Sequence, residues 1–287
     1  MPKAILTMGA STRLVEALIP GLGSKDLFFS LGEEIPDLKN YDNVSYWMGG
    51  AYALQLQKIG LAKTLCSPGA NWLPSVPVEL LSRKVEVGTI NDLANTSKNF
   101  WVKPSEAKVQ SFPAGLYNFN TLNHIFVSNK IDSSLSIQWT ESILDINFEH
   151  RFFIAAGKVI TGSPYKVNGI GWHKDIDFSE SVNASHFAQH VINELGDNFP
   201  NFATLDVGLN TKTSKWLVIE ANRAWSSGLY GSNPSAALDV IESSCSYDET
   251  LWQWKPDQHL LELSDSWNTL KVVPVGKDSI GFFKYNC

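Results

Sequence analysis

The feature that most constrains the fold is a hairpin pattern in the second half of the chain. Residues 202–209 (FATLDVGL) and 215–219 (KWLVI) are short apolar runs rich in β-branched side chains. Residues 210–214 (NTKTS), which connect them, have the polar composition of a hairpin loop. Such runs on either side of a polar loop indicate two antiparallel strands. We therefore expect the side chains of each run to alternate between two faces of a sheet.

The end of this hairpin carries three side chains with oxygen atoms. Glu220 and Asn222 are two residues apart and so lie on one face, and Asp206 can lie opposite them on the partner strand. Mg²⁺ is usually held by one or two carboxylates together with substrate phosphates. The sequence therefore predicts a Mg²⁺ site at Asp206, Glu220 and Asn222, and with it a nucleotide ligand. The alternative is that both acids are solvated charges at strand ends.

Basic residues precede this acidic cluster. Lys103 ends a strand-like run at 99–103 (NFWVK), and Lys108 follows shortly after it. A lysine at the mouth of a strand is a compact, mobile charge that suits phosphate oxygens. Arg151 lies among apolar residues in EHRFF, and a charged residue in such a strand is rarely buried without a partner. We therefore expect an anion next to Arg151.

With two lysines, an arginine and then the acidic cluster in this order, the chain resembles the ATP-grasp superfamily. It resembles most closely the clade that is named for one arginine and two lysines. This resemblance implies an α/β (α+β) ATP-grasp fold, with an N-terminal open α/β pre-ATP-grasp lobe and a C-terminal antiparallel-sheet lobe. It divides the chain into an N-terminal domain (1–98), an ATP-grasp domain (99–245, hinge near 141–149) and a C-terminal extension packed on the core (246–287).

The resemblance also implies roles for individual residues. Lys103 and Lys108 would hold the ATP phosphates, Arg151 would be the phosphate-binding arginine, and Lys108 and Arg151 are the expected catalytic side chains. Asp145 or Glu149 would bind the ribose hydroxyls. The adenine would be bound by backbone groups of a hinge strand made of Glu141, Ser142, Ile143 and Leu144.

The segment after the metal motif, 224–231 (AWSSGLYG), lies where ATP-grasp ligases commonly build their acceptor loop. The hydroxyl and backbone N–H groups that could bind a substrate carboxylate there belong to Ser226, Ser227 and Gly228. An ordinary turn of small residues is the alternative. Arg13 and Arg223 are further candidates, since arginine can bind a carboxylate in a bidentate manner, although surface salt bridging is its commoner fate.

One segment departs from the pattern of the superfamily. Many ATP-grasp proteins cover the phosphates with a flap rich in glycine and serine. Here the corresponding residues, 109–116 (VQSFPAGL), include one glycine and a proline. We therefore expect a shorter and stiffer flap.

The rest of the chain indicates alternating strands and helices, as in an open α/β lobe. The predicted strands outside the hairpin are 3–8, 27–31, 84–87 and 152–160, the last of these a hairpin that turns near Gly157. The predicted helices are 12–19, 45–59, 183–195 and 233–244, the last of which begins with an Asn-Pro pair.

Composition limits the classes of function. The 287 residues carry a formal net charge of −6 and scattered basic residues, which argues against non-specific nucleic-acid binding and docking to acidic membranes. Cys66, Cys245 and Cys287 form no C-x-x-C pair, so neither a disulfide framework nor a zinc site is indicated. No run reaches the ~18 apolar residues of a spanning helix. We expect a cytoplasmic protein.

The resemblance implies an ATP- and Mg²⁺-dependent carboxylate–amine ligase. ATP would phosphorylate a carboxylate, and an amine would attack the acyl phosphate to form an amide. The expected partners are small carboxylates and amines, including amino acids and peptides. The alternatives are an ATP-grasp phosphotransferase with a non-carboxylate acceptor, a non-catalytic nucleotide-binding protein, and an unrelated α/β protein. Because metal-site carboxylates repel each other without the metal, we expect removal of Asp206 or Glu220 to stop turnover with little loss of stability.

Overall fold

The structure is a computed structural model that describes residues 3–9, 12–106, 109, 111–141, 144–171, 181–246, 250–256, 258–265, 268–275 and 282–285. In chain order, its strands are β1 (Lys3–Met8), β2 (Asp26–Ser30), β3 (Glu34–Pro36), β4 (Asn43–Met48), β5 (Glu86–Gly88), β6 (Phe100–Pro104), β7 (Gly115–Tyr117), β8 (Ile137–Thr140), β9 (Ile146–Ala155), β10 (Lys158–Val167), β11 (Ile170–Gly171), β12 (Phe202–Asn210), β13 (Lys215–Arg223), β14 (Lys271–Val273) and β15 (Phe282–Tyr285). Its α-helices are α1 (Thr12–Leu18), α2 (Gly50–Lys58), α3 (Trp72–Ser75), α4 (Val78–Leu81), α5 (Phe119–Ser128), α6 (Ser181–Leu195), α7 (Pro234–Cys245) and α8 (Gln258–Ser264). Short 3₁₀ helices cover Ile19–Gly21, Ile90–Leu93, Gly196–Asn198 and Ala224–Ser226.

Within the described residues, these strands form three main sheets. The N-terminal sheet has the order β15-β2-β1-β4, and β1, β2 and β4 run parallel. The middle sheet has the order β5-β8-β6-β7, and the C-terminal sheet the order β11-β10-β9-β12-β13. Both are antiparallel. The expected α/β (α+β) class, with an open α/β lobe first and an antiparallel lobe after it, is confirmed.

The C-terminal sheet buries one face and leaves the other for charged residues. Helix α6 packs on the buried face, where Leu205 and Val207 of β12 join Ala188 and Val191 of the helix in an apolar core. Because strand side chains alternate, Asp206 points to the opposite face. The apolar residues of β12 therefore determine on which side its carboxylate lies.

The helix predicted over 45–59 is wrong in its first part. That part is strand β4, which pairs in parallel with β1, and helix α2 begins only at Gly50. Tyr46 and Trp47 are buried aromatic residues, a type that favours strands, and Gly49 has an extended backbone that ends the strand. The β4–α2 junction consequently lies at the carboxyl edge of the parallel strands, where open α/β sheets bind their ligands.

The hinge strand predicted over 141–144 lies earlier in the chain. Strand β8 ends at Thr140, and its side chains are buried because it pairs with β5 and β6 on its two sides. Ser142 and Ile143 lie outside the described residues. Among the described residues of this segment, the side chain of Glu141 is exposed and pairs with Lys98 across 2.8 Å.

The C-terminal extension contributes strands to the N-terminal lobe. Strand β14 pairs in parallel with β3, and β15 pairs with the edge strand β2. We therefore propose that the first domain comprises residues 1–98 together with β14 and β15, and that the ATP-grasp domain is inserted between these two parts. In the part of the chain that the structure describes, no helix is both long and apolar enough to span a membrane.

Strand β15 provides a direct test of this domain assignment. Phe282 is 4 % exposed and packs edge-on against Phe28, with ring centres 5.9 Å apart, whereas the adjacent Phe283 is 53 % exposed. We expect Phe282→Ala to lower the free energy of unfolding by about 3–5 kcal/mol, the usual cost of a buried phenylalanine, and Phe283→Ala to change it by less than about 0.5 kcal/mol. Urea unfolding measures both. Equal effects of the two substitutions would contradict the pairing of β15 with β2.

Candidate active site

Adjacent strands of the C-terminal sheet bring the predicted charged residues to one level. Asp206 on β12 is paired with Glu220 on β13 and with Arg151 on β9. Residues that are directly opposite in a sheet have their side chains on the same face, so all three project to the face away from α6. The register that the sequence predicted for Asp206 and Glu220 is therefore confirmed.

A buried ion pair lies at the centre of this face. Nε and Nη2 of Arg151 donate to the two carboxylate oxygens of Asp206 over 2.8 Å and 2.7 Å. Asp206 has no exposed surface, and Arg151 is 9 % exposed. Burial raises the pKa of Asp206 while the guanidinium opposes that rise, and the carboxylate in turn raises the pKa of Arg151. The anion that the sequence required next to Arg151 is thus the carboxylate of Asp206.

Two tyrosines complete the surroundings of Arg151. The guanidinium carbon lies 5.5 Å and 5.4 Å from the ring centres of Tyr165 and Tyr230, which are stacked with their centres 5.3 Å apart. The hydroxyl of Tyr165 donates to Glu149 over 2.6 Å. Burial, together with nearby acids, raises the pKa of Tyr165, so the phenol stays neutral and supplies an uncharged wall for the arginine.

Glu220 connects the C-terminal sheet to the middle sheet. Its carboxylate accepts a short hydrogen bond from Nζ of Lys103, which is on β6. Nδ2 of Asn222 donates to Glu220 over 3.0 Å and to Asp206 over 3.2 Å. Although burial favours the neutral acid, Lys103 and Asn222 lower the pKa of Glu220 to about 2. The structure therefore brings together Lys103, Arg151, Asp206, Glu220 and Asn222, which the sequence predicted as one site.

The donor set of this site fits Mg²⁺. Among the residues that the structure describes, no group of three or more His, Cys, Asp or Glu side chains is arranged to hold a metal ion. The protein instead offers two carboxylates and the amide of Asn222, which contacts both of them. Such an incomplete set suits Mg²⁺, because this ion retains several waters and takes other ligands from phosphates. Asp206, Glu220 and Asn222 are the residues that would hold it.

A cavity of about 310 Å³ lies beside Lys103, at the lower end of the ~300–1,000 Å³ range of small-molecule sites. Its lining includes Lys103, Ser105, Glu106, Phe112, Glu220 and Asn222. Phe112 comes from the predicted flap and is fully buried, packed edge-on against Tyr117 and Phe126. This contact attaches the flap to the middle sheet and α5. Lys108, the second predicted phosphate-binding lysine, lies outside the described residues.

The two candidates for ribose binding lie in different places. Glu149 is on β9, two residues before Arg151, and accepts hydrogen bonds from Tyr165 and from Lys166 over 2.6 Å and 2.9 Å. The carboxylate of Asp145 lies 3.6 Å from Lys212 in the loop after β12. The structure thus brings Glu149 to the arginine, whereas Asp145 lies at the loop between β12 and β13.

The acceptor-loop residues also separate into two groups. The hydroxyl of Ser227 is buried, lies 2.9 Å from the hydroxyl of Thr204 and donates to the carbonyl of Arg223 over 2.8 Å. Because its hydroxyl is used inside the protein, Ser227 supports the loop. Ser226 and Gly228 are partly exposed and remain candidates for substrate contact. The side chain of Arg13 lies outside the described residues.

Comparison with known proteins places the geometry in context. Residues 80–240 match the model of an ATP-grasp domain family, described as family 2 of the clade with one arginine and two lysines. The D-alanine–D-alanine ligase from Coxiella burnetii is similar in structure, with a TM-score of 0.53, 13% identity, and 86% of this chain and 95% of that one covered. The D-alanine–D-alanine ligase from Bacillus anthracis gives 0.51, 13%, 85% and 97% for the same quantities. At these identities the likeness shows the fold. No curated protein matches the chain.

The ion pair changes what we expect of the acids. Removing Asp206 leaves a buried guanidinium without its partner, so the expectation of little lost stability does not hold for this residue. We expect Arg151→Met to lower the free energy of unfolding by about 3–5 kcal/mol, because it leaves the Asp206 carboxylate buried and unpaired. The double variant Arg151→Met/Asp206→Leu should recover most of the loss.

Urea unfolding of the wild type, both single variants and the double variant measures this coupling. Lys212→Met is the matched control, since its pair with Asp145 is exposed and should contribute less than about 1 kcal/mol. A coupling energy between Arg151 and Asp206 no larger than that of the control pair would contradict a buried ion pair.

Proposed function

Because the chain belongs to family 2 of the ATP-grasp clade with one arginine and two lysines, we propose that it is an ATP- and Mg²⁺-dependent carboxylate–amine ligase. In this proposal ATP phosphorylates a substrate carboxylate, and an amine then attacks the acyl phosphate to form an amide or peptide bond. The products are the amide, ADP and phosphate. A cytoplasmic location accords with ATP as a substrate and with the buried thiol of Cys245.

One observation carries the proposal. Lys103 from the middle sheet meets Glu220, and thereby Asp206 and Asn222, from the C-terminal sheet. A cation from one sheet and oxygen ligands from the other are therefore held on opposite sides of a single cleft. A triphosphate with its bound cation needs this combination of charges, because its oxygens require positive partners while the cation requires oxygen ligands.

The protein side chains divide the electrostatic work in this mechanism. Mg²⁺, held by Asp206, Glu220 and Asn222, would offset the negative charge of the phosphates. Lys103 would exchange Glu220 for phosphate oxygens, which releases that carboxylate to bind the cation. Arg151 would stabilise the charge that spreads over the transferring phosphoryl group, and we propose the same for Lys108. Catalysis would come from positioning and charge, without a nucleophile from the protein.

The residues around the cleft support the orientation of Arg151 and of the nucleotide. Asp206 fixes the arginine through two hydrogen bonds, and Tyr165 and Tyr230 restrict its guanidinium. Glu149 is the described acid best placed for a ribose hydroxyl, since it lies on the same strand as Arg151. Backbone groups near Glu141 and Leu144 would bind the adenine.

The substrates are proposed by class. The solved structures with this fold include D-alanine–D-alanine ligases, so amino acids and short peptides are the first compounds to test as carboxylate and amine. Phosphate transfer to a hydroxyl and nucleotide binding without catalysis are the competing functions. The products distinguish the three: an amide with ADP and phosphate, a phosphorylated acceptor with ADP, or no turnover.

We expect ADP release to depend on both a carboxylate and an amine, and to fall at least about 100-fold in Lys103→Met, the loss typical of removing one transition-state charge partner. Lys98→Met is the matched control, because Lys98 is exposed and pairs with Glu141 outside the cavity. A coupled assay for ADP, with mass spectrometry of the product, makes the measurement. Equal rates for the wild type and Lys103→Met, or a phosphorylated product, would contradict the ligase proposal.

A further inference from the structure

Arg223 is a buried cation that the phosphate site does not use. Its Nη2 donates to the backbone carbonyl of Glu106 over 3.0 Å. The guanidinium carbon lies 5.2 Å and 5.5 Å from the ring centres of Trp225 and Trp254. Its Nη1 has no accessible surface and no hydrogen-bond partner in the described part of the chain. A buried donor without a partner is costly, so this nitrogen calls for a ligand.

The unpaired nitrogen lies against the N-terminus of α2. A Cβ atom added at Gly50, the first residue of this helix, would lie 3.3 Å from Nη1. The helix has nine residues, and its N-cap, Gly49, has no side chain with which to bond the first turn. The first N–H groups of a helix have no partners within the helix and are therefore available to a ligand.

Electrostatics makes this arrangement unfavourable without an anion. A helix N-terminus carries roughly half a positive charge, and cations are destabilising there. Burial also lowers the pKa of Arg223, and the charge of Glu106 opposes that shift. Two positive groups thus face each other beside Gly50. An anion between them would accept hydrogen bonds from both and remove their repulsion.

We propose that Arg223 and the N-terminus of α2 bind the carboxylate of the amine substrate, which is then an amino acid or a peptide with a free carboxylate. The inference rests on the proposed ligase function. Asn222 and Arg223 are consecutive on β13 and so point to opposite faces of the strand, which separates this site from the metal ligands. The site also lies at the carboxyl end of β4, at the ligand-binding edge of the parallel strands.

The form of the donors favours a carboxylate over a phosphate. The two tryptophans lie close to the guanidinium, and Nη2 is already bonded to a carbonyl, so Nη1 is the terminal nitrogen left for a ligand. Together with the helix N–H groups, it forms a small, directional set that matches the two oxygens of a planar carboxylate. The more numerous charges at Lys103 and Arg151 suit phosphates.

Thermal unfolding of the full chain tests the anion site without nucleotide. Sodium acetate is the carboxylate probe, with sodium phosphate and sodium chloride at equal ionic strength for comparison. A ligand that binds the folded state raises the Tm. We expect acetate to raise the Tm of the wild type above its value in chloride, and Arg223→Met to abolish this increment.

Two glycine variants make the test independent of the loss of an arginine. Gly50→Ala should fold, since alanine favours helices, but its Cβ would occupy space beside Nη1 and reduce the increment. Gly32→Ala, where a Cβ meets open space, should keep the increment. No acetate increment in the wild type, or an equal one in Arg223→Met, would overturn the proposal. An Arg223-dependent increment with phosphate but not acetate would also overturn it and assign the site to the nucleotide.

Steady-state kinetics links the site to the reaction. With an amino acid that supports ADP release as the amine, Arg223→Met should raise the KM for that amine at least roughly tenfold and leave the KM for ATP unchanged. The amide of the same amino acid, which lacks the carboxylate, should be a poor substrate of the wild type. A rise in the KM for ATP alone would refute the assignment. Failure of the ligase proposal would appear separately, as no ADP release by the wild type.

Discussion

The buried ion pair between Arg151 and Asp206 is the interaction on which the geometry of the site depends. Two charges can remain inside the protein only if they compensate each other, and here two hydrogen bonds of 2.8 Å and 2.7 Å do so across neighbouring strands. The pair fixes the direction of the Asp206 carboxylate. Asn222 bonds to that carboxylate and also to Glu220, so the orientation of Arg151 extends to the other predicted metal ligands.

The site combines one rigid cation with one exchangeable cation. Arg151 is held by Asp206 and lies beside two tyrosine rings, whereas Lys103 reaches Glu220 from a different sheet with its side chain 25% exposed. A mobile ammonium can change partners at little cost, while a guanidinium fixed by two hydrogen bonds cannot. The proposed mechanism uses this difference, because Lys103 moves to the phosphates and Arg151 provides charge at a fixed position.

The sequence predicted the parts of the site that depend on local patterns. The register of Asp206 and Glu220 follows from strand alternation and a short loop, and the position of Lys103 follows from a strand end. Tyr165 and Tyr230 were missed because their approach to Arg151 depends on how β10 and the loop after β13 pack. Strand β4 was missed because its apolar residues run on into α2 and fit a helical pattern. Strand β15 pairs with β2 across most of the chain, which no local signal indicates.

The central claim is that one cleft binds ATP and Mg²⁺ together, and isothermal titration tests it most directly. A non-hydrolysable ATP analogue is titrated into the protein with and without Mg²⁺, for the wild type, Lys103→Ala and Glu220→Ala. The account predicts binding by the wild type that depends on Mg²⁺, weak binding by Lys103→Ala, and loss of the Mg²⁺ dependence in Glu220→Ala. No binding by the wild type, or binding that neither Mg²⁺ nor these residues affect, would contradict it.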